Sequence, residues 1–411
     1  MKEIIAGIST FFTVAYLILL YPKILSDGGV DFGSALTATI LTIVISTIFL
    51  GLYANFPALL APGLSVGPFL VYSVIQKQQA TWEIALGIVF WSGLVIFFLS
   101  IFKVRQKILL HLPISIKAAS IGGIGLFLIT VGLKELNILN EPIFNTPNAI
   151  VLFGLILFFT LHHFKITTAF LITILSCWII SIPFGYVSYN GIAALPSPVT
   201  PTFMKLDLLS SLEFKWFGTL LSVTLICLFD TSASLTALSK LAHKFDKSGK
   251  IKDIDRIVIP DGPGSMLGAL LGTGTLAFTL ESSSGIKAGG RTGICAIVAA
   301  TCCMIGLFFY PLISSIPYFA TVPVLIAIGL FMLTEIKQIR WRDYTESIPA
   351  MLTLITIPLT FSIYRGFAFG FVSYALLKGL KGQWKDVHPV CWALAIIFAA
   401  HLSWALATKH F

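Results

Sequence analysis

Ala61-Pro62-Gly63-Leu64-Ser65-Val66-Gly67-Pro68 lies inside an apolar run at about 57–76 and cannot continue that run as a regular helix. Proline removes a backbone donor and clashes with the preceding turn, and glycine loosens the backbone. A second stretch, Gly272-Thr273-Gly274-Thr275-Leu276-Ala277-Phe278-Thr279-Leu280-Glu281-Ser282-Ser283-Ser284-Gly285, adds hydroxyls and an acid within an apolar region at about 257–286. In a bilayer, interrupted backbone survives only inside protein or facing a cavity. Two broken segments in corresponding places of two halves point to a binding site near the membrane midplane. The plainer alternative is a pair of kinks, since Gly and Pro are common in membrane helices.

The rest of the chain supplies the membrane setting. Its 411 residues are 57% apolar and 11% charged, with a mean hydropathy of +0.94. Soluble chains carry about 25% charged residues. Runs long enough to span, roughly 20 residues, fall at about 4–24, 34–55, 82–102, 116–133, 148–164, 167–186, 216–236, 292–312, 319–335, 346–363, 366–381 and 389–408. With 57–76, and with 257–286 counted as the ninth and tenth, the chain has about 14 segments up to residue 381. The fold class expected is an all-α membrane protein. Its C-terminal third leaves two readings open: 346–381 is a tight helical pair and 389–408 an extra helix, or one of these lies in the interface.

Lys and Arg gather after even-numbered segments: Lys103, Arg105 and Lys107; Lys165; Lys240, Lys244, Lys247, Lys250, Lys252 and Arg256; Lys337, Arg340 and Arg342; Lys378, Lys381 and Lys385. The odd-numbered gaps are poorer in them and hold Asp27, Asp31, Glu135 and Glu141. Even gaps and the N-terminus are therefore expected in the cytoplasm. The net charge of +9 follows this loop pattern, which argues against nucleic-acid binding. Cys177, Cys227, Cys295, Cys302, Cys303 and Cys391 all lie in apolar runs without CxxC spacing and read as core residues rather than metal ligands or disulfides. No cofactor is called for, and no cleavable leader is expected ahead of the first run.

Ile124-Gly125-Leu126-Phe127 with Thr130 recurs as Ile328-Gly329-Leu330-Phe331 with Thr334. This pairs the fifth segment with the twelfth in opposite directions, the plan of an inverted repeat. The two copies would be 1–190 and 191–411. Two acids stand at membrane depth, Asp230 in the eighth segment and Glu281 in the tenth. Such acids are expensive there and are functional or paired. Glu281 follows Thr279, an N-cap candidate for a half-helix. A carboxylate at a helix N-terminus is favoured by the dipole and can accept two hydrogen bonds from a planar heterocycle. Asp230 could bind a proton and couple its movement to transport. The structural alternative for both is pairing with Lys287 or Arg291, which otherwise read as a solvated turn. His162, His163 and His243 read as interfacial, and Asp343 and Glu346, flanking the start of a late segment, carry no role beyond a pairing open with Arg342.

Phe229-Asp230-Thr231, Pro260-Asp261-Gly262, Leu267-Gly268-Ala269-Leu270-Leu271-Gly272-Thr273, Glu281-Ser282 and Ala288-Gly289-Gly290-Arg291-Thr292-Gly293 together resemble the AzgA-like branch of the nucleobase–cation symporter-2 family. Thr10-Phe11-Phe12-Thr13-Val14-Ala15-Tyr16, Thr345-Glu346-Ser347-Ile348-Pro349-Ala350 and Phe367-Ala368-Phe369-Gly370-Phe371 support it over essentially the whole chain. The resemblance implies 14 segments in two inverted repeats of seven, with short strands in segments 3 and 10. It implies a core domain from about 1–102 and 214–312 and a gate domain from about 104–190 and 317–411, the latter often contacting a partner subunit in a homodimer. The function implied is import of adenine, guanine or hypoxanthine by proton symport across a plasma membrane, the inner membrane in a Gram-negative cell. Glu281 would bind the base, Asp230 would link binding to the proton, and the backbone at Thr279 and Leu280, with Ser65 and position 67, would complete the pocket. One departure stands out: the family usually carries Asn where this chain has Gly67, followed here by Pro68. The missing amide leaves room for a bulkier or different ligand. Other readings are a same-fold carrier of uracil, xanthine or an organic anion, decided by competition, and a channel, decided by saturable uptake. A membrane enzyme has no metal cluster, nucleophile elbow or phosphate loop behind it.

Overall fold

A computed structural model describes residues 1–136, 145–188, 191–245 and 251–408. Glu141, Lys247 and Lys250 lie outside the described residues, as does the side chain of Lys107. The first half runs through α1 (Lys2–Asp27), α2 (Phe32–Ala54), β1 (Leu60–Pro62), α3 (Val66–Pro68, continued by a π-helical turn over Phe69–Ile75), α4 (Trp82–Ile101), α5 (Val104–His111), α6 (Ile114–Glu135), α7 (Thr146–His163) and α8 (Ala169–Ser181). The second half runs through α9 (Phe214–Leu241), α10 (Ile254–Val258), α11 (Asp261–Leu271), β2 (Leu276–Phe278), α12 (Ser283–Lys287), α13 (Gly293–Ile305), α14 (Tyr310–Ser314), α15 (Val322–Leu333), α16 (Tyr344–Thr360), α17 (Ile363–Leu380) and α18 (Pro389–Ala407). The helices start where the sequence supplies caps. Asp31 accepts from the Ser34 amide at 2.8 Å ahead of α2, and Asn145 accepts from the Asn148 amide at 2.9 Å ahead of α7. Among the described residues, eight helical stretches are long and apolar enough to cross a membrane.

Both readings of the C-terminal third resolve into helix. The 346–381 region forms the pair α16 and α17, joined by a turn with Phe361 at φ 51°, and α18 is an additional helix packed on α17 and α9. Asp343 and Glu346 do not pair with Arg342. Asp343 faces Lys378 at 3.4 Å and Lys381 at 3.5 Å, while Glu346 takes Arg340 at 3.1 Å and the Ser115 hydroxyl at 2.5 Å. Packing sorts the long helices into two groups. Around the strands, α1 meets α2 and α13, α2 meets α11 and α13, and α4 meets α9 and α11. In the other group α6 meets α15, α16 and α17, and α7 meets α8 and α15. The groups touch where α1 meets α8 and α9 meets α17.

The repeated glycines meet each other. A Cβ on Gly125 would lie 2.5 Å from the Gly329 carbonyl oxygen, and one on Gly329 would lie 2.6 Å from that of Gly125. Small residues let membrane helices approach backbone to backbone. Such reciprocity is what a twofold relation between α6 and α15 produces.

Candidate functional site

The two broken stretches meet as an antiparallel ribbon with Leu60 opposite Phe278, Ala61 opposite Ala277 and Pro62 opposite Leu276. Its ends are extended by the Gly63 amide donating to the Thr275 carbonyl and the Thr279 amide donating to the Leu59 carbonyl, each at 3.1 Å. A two-stranded ribbon exposes backbone groups on both edges, and in a water-free core each one needs a partner. Side-chain hydroxyls supply them. Thr47 accepts from the Leu60 amide at 3.1 Å, Ser265 from the Leu276 amide at 2.9 Å, and Ser282 from the Leu59 amide at 3.0 Å. One half-helix starts after each strand: α3 beyond β1, and a 3-10 turn over Leu280–Ser282 followed by α12 beyond β2.

Glu281 stands in the first turn of the second half-helix and is partly exposed. The Tyr16 hydroxyl on α1 donates to its Oε1 at 2.5 Å, and the Thr13 hydroxyl donates to its backbone carbonyl at 3.2 Å. Thr279 holds the cap position, but its hydroxyl does not cap. It donates to the Leu59 carbonyl at 3.1 Å and shares a 2.8 Å hydrogen bond with Ser282. The Thr279 side chain is thus turned to the ribbon and to Ser282 rather than to the first amides of the half-helix. Leu280 is 50% exposed between buried Thr279 and partly exposed Glu281, so this end of the ribbon opens onto accessible space.

Asp230, on α9, faces the other half-helix. The Ser65 hydroxyl donates to its Oδ2, and Ser65 is otherwise buried. The site residues thus fall into two clusters, Asp230 with Ser65 at α3 and Glu281 with Thr279 and Leu280 at the second half-helix. Among the described residues neither acid forms an ion pair. Arg291 instead donates to the Ile286 carbonyl at 2.6 Å and the Gly290 carbonyl at 2.8 Å, closing the turn after α12.

Gly67 offers no spare room. A Cβ there would lie 2.5 Å from Tyr21 Cε2 and 2.9 Å from its Cζ and hydroxyl, because the Tyr21 ring fills the space of the missing side chain. The bulkier ligand expected at this point has no place to sit while Tyr21 stays where it is. Gly67→Asn is expected to destabilise the protein by about 1–3 kcal/mol through overpacking, read as a lowered melting temperature in detergent; a melting temperature equal to wild type contradicts the packing described.

Two features were not singled out from the sequence. Tyr16 was noted only within a motif, although a tyrosine buried in an apolar helix needs a hydroxyl partner. Arg105, grouped with the loop charges, is 2% exposed and pairs with fully buried Asp261 at 2.7 Å. Asp261 also accepts from the Thr231 hydroxyl at 2.9 Å, next to Asp230.

The Xan_ur_permease model, described as Permease family, matches residues 1–369. A protein named a putative permease from Methanocaldococcus jannaschii is 39% identical over 407 residues, 97% of this chain and 93% of that protein. The adenine permease AdeQ of Escherichia coli is 32% identical over 97% of this chain and 91% of its own length. The guanine/hypoxanthine permease PbuO of Bacillus subtilis is 30% identical over 98% and 96% respectively. Among solved structures, the transmembrane domain of the cyanobacterial bicarbonate transporter BicA superposes with a TM-score of 0.66 at 14% identity, covering 89% of this chain and 97% of that one. At that identity the likeness is one of fold.

Proposed function

This chain belongs to the Permease family, a family of transporters and not of enzymes, and we propose that it imports a purine nucleobase by proton symport across a plasma membrane, with its N-terminus in the cytoplasm. The observation that carries this reading is Glu281: a carboxylate at the start of a half-helix, held by Tyr16 and paired with no cation among the described residues. Guanine presents its N1–H and N2–H side by side in one plane, which suits a carboxylate with free lone pairs, and adenine and hypoxanthine each offer it a ring N–H. The adenine and guanine/hypoxanthine permeases among the relatives support the same substrate class. Asp230, tied to the first half-helix through Ser65, is the candidate proton carrier. The group built around the ribbon acts as the core domain, about 1–102 and 214–312. It moves against a gate domain, about 104–190 and 317–411, to give alternating access. Self-association through the gate group belongs to the same reading. An organic anion suits the site poorly, because two carboxylates with no ion-pair partner among the described residues repel it.

The test is uptake of radiolabelled adenine, guanine and hypoxanthine in cells lacking their own purine permeases, with unlabelled uracil and xanthine as competitors. Saturable purine uptake that collapses with a protonophore is the expected result. Uptake that ignores the proton gradient and follows sodium removes the symport, and preferential competition by uracil reassigns the substrate.

A further inference from the structure

Tyr16 bridges the site and the opposite group of helices. Its hydroxyl donates to Glu281 Oε1 at 2.5 Å, while its ring stacks on Phe170 of α8, with centroids 4.7 Å apart and planes 27° from parallel. Phe170 does not belong to the ribbon group. It lies among aromatic side chains of α7 and α15, 4.9 Å from Phe158 and 6.2 Å from Phe331. Tyr16 is 2% exposed, so packing alone would be served equally by phenylalanine. Its hydroxyl is retained at a buried position where it needs a partner, and that partner is the side chain offered to the guest.

A carboxylate oxygen has a limited set of acceptor directions. A guest N–H that lines up on the Oε1 direction held by the Tyr16 hydroxyl competes with it, while the other acceptor directions of Glu281 stay open to the guest. We propose that Tyr16 is a positioning residue that transmits the occupancy of Glu281 to the gate group: the guest takes over Oε1, the Tyr16 hydroxyl is released, and the stack on Phe170 changes with it. This rests on the substrate reading above. A ligand moves a conformational equilibrium only through contacts that differ between the states, and the Tyr16–Phe170 stack, joining the two groups, is such a contact.

Two variants separate the halves of this bridge. Tyr16→Phe keeps the ring and removes the competing donor; Phe170→Leu keeps the donor and removes the stack. Adenine binding to purified protein is measured by calorimetry, and adenine uptake in reconstituted vesicles, with melting temperature as a folding control. Wild-type binding that is lost in Glu281→Gln establishes the site itself. If instead the wild type binds no purine, or binding survives in that variant, the substrate reading fails and not the bridge. Given the site, Phe170→Leu is expected to leave Kd within about twofold and to lower the maximal uptake rate about threefold to tenfold, the range of an aromatic stacking energy. Tyr16→Phe is expected to tighten Kd and also lower the maximal rate. Affinity lost in parallel with rate in Phe170→Leu, affinity unchanged or weakened in Tyr16→Phe, or an unchanged maximal rate in either variant overturns the proposal.

Discussion

Glu281→Gln is expected to abolish measurable purine uptake. The substitution keeps the size of the side chain and replaces one carboxylate oxygen by an amide nitrogen. A site of two acceptors becomes one acceptor and one donor. Tyr16 can still donate to the remaining oxygen, so the half-helix keeps its contact with α1. The guest's second N–H then meets an N–H. Each hydrogen bond to a charged group contributes about 1.5–3 kcal/mol, so losing one weakens binding roughly tenfold to 150-fold. An amide also cannot exchange a proton at neutral pH, which removes any share Glu281 has in coupling. Normal uptake by a variant that folds and reaches the membrane would remove this residue from the site.

The largest effect expected on stability is at Asp261. Its carboxylate is fully buried, meets the Arg105 guanidinium at 2.7 Å and accepts from Thr231. Arg105 is also buried and reaches the Val258 carbonyl at 3.4 Å. Asp261→Ala leaves the guanidinium in the interior without its counter-charge, at a cost of about 3–5 kcal/mol. The expected readout is a much lower melting temperature or loss of the folded protein from the membrane. The companion variant Arg105→Met with Asp261→Leu removes both charges together, and apolar replacement of a buried pair is often neutral or stabilising. Recovery in the double variant identifies the uncompensated charge as the cause. A double variant as damaged as the single one points instead to the shape of the α10–α11 junction.

Much of the fold was legible because membrane helices are written in long apolar runs. Breaks in the helices were legible because Pro62, Gly63, Gly272 and Gly274 interrupt apolar runs, although the same residues also fit simple kinks. The pairing of the two breaks was open to expectation only through resemblance, since three residues per strand carry no period-2 pattern. Side-chain partnerships were the least visible part. Thr279 occupied its expected position, but its hydroxyl is turned to the Leu59 carbonyl. Arg105 counts as a loop charge until the fold sets Asp261 of α11 against it. Gly67 reads as vacant space because the residue that fills it, Tyr21, lies 46 positions earlier in the chain. Each of these turns on a contact between distant segments, which local spacing does not encode.

The ribbon ties α3 to the half-helix that carries Glu281 by backbone hydrogen bonds, so neither can be displaced alone. A guest lodged against both would ride with those contacts intact, whichever side of the membrane it faces. Its contacts with the ribbon would then be the same on entering and on leaving, so the ribbon itself favours neither side and any bias comes from contacts beyond it, such as Tyr16 on Phe170. The ribbon would be directionless, with the sign of net flux set by the solute and ion gradients across the membrane.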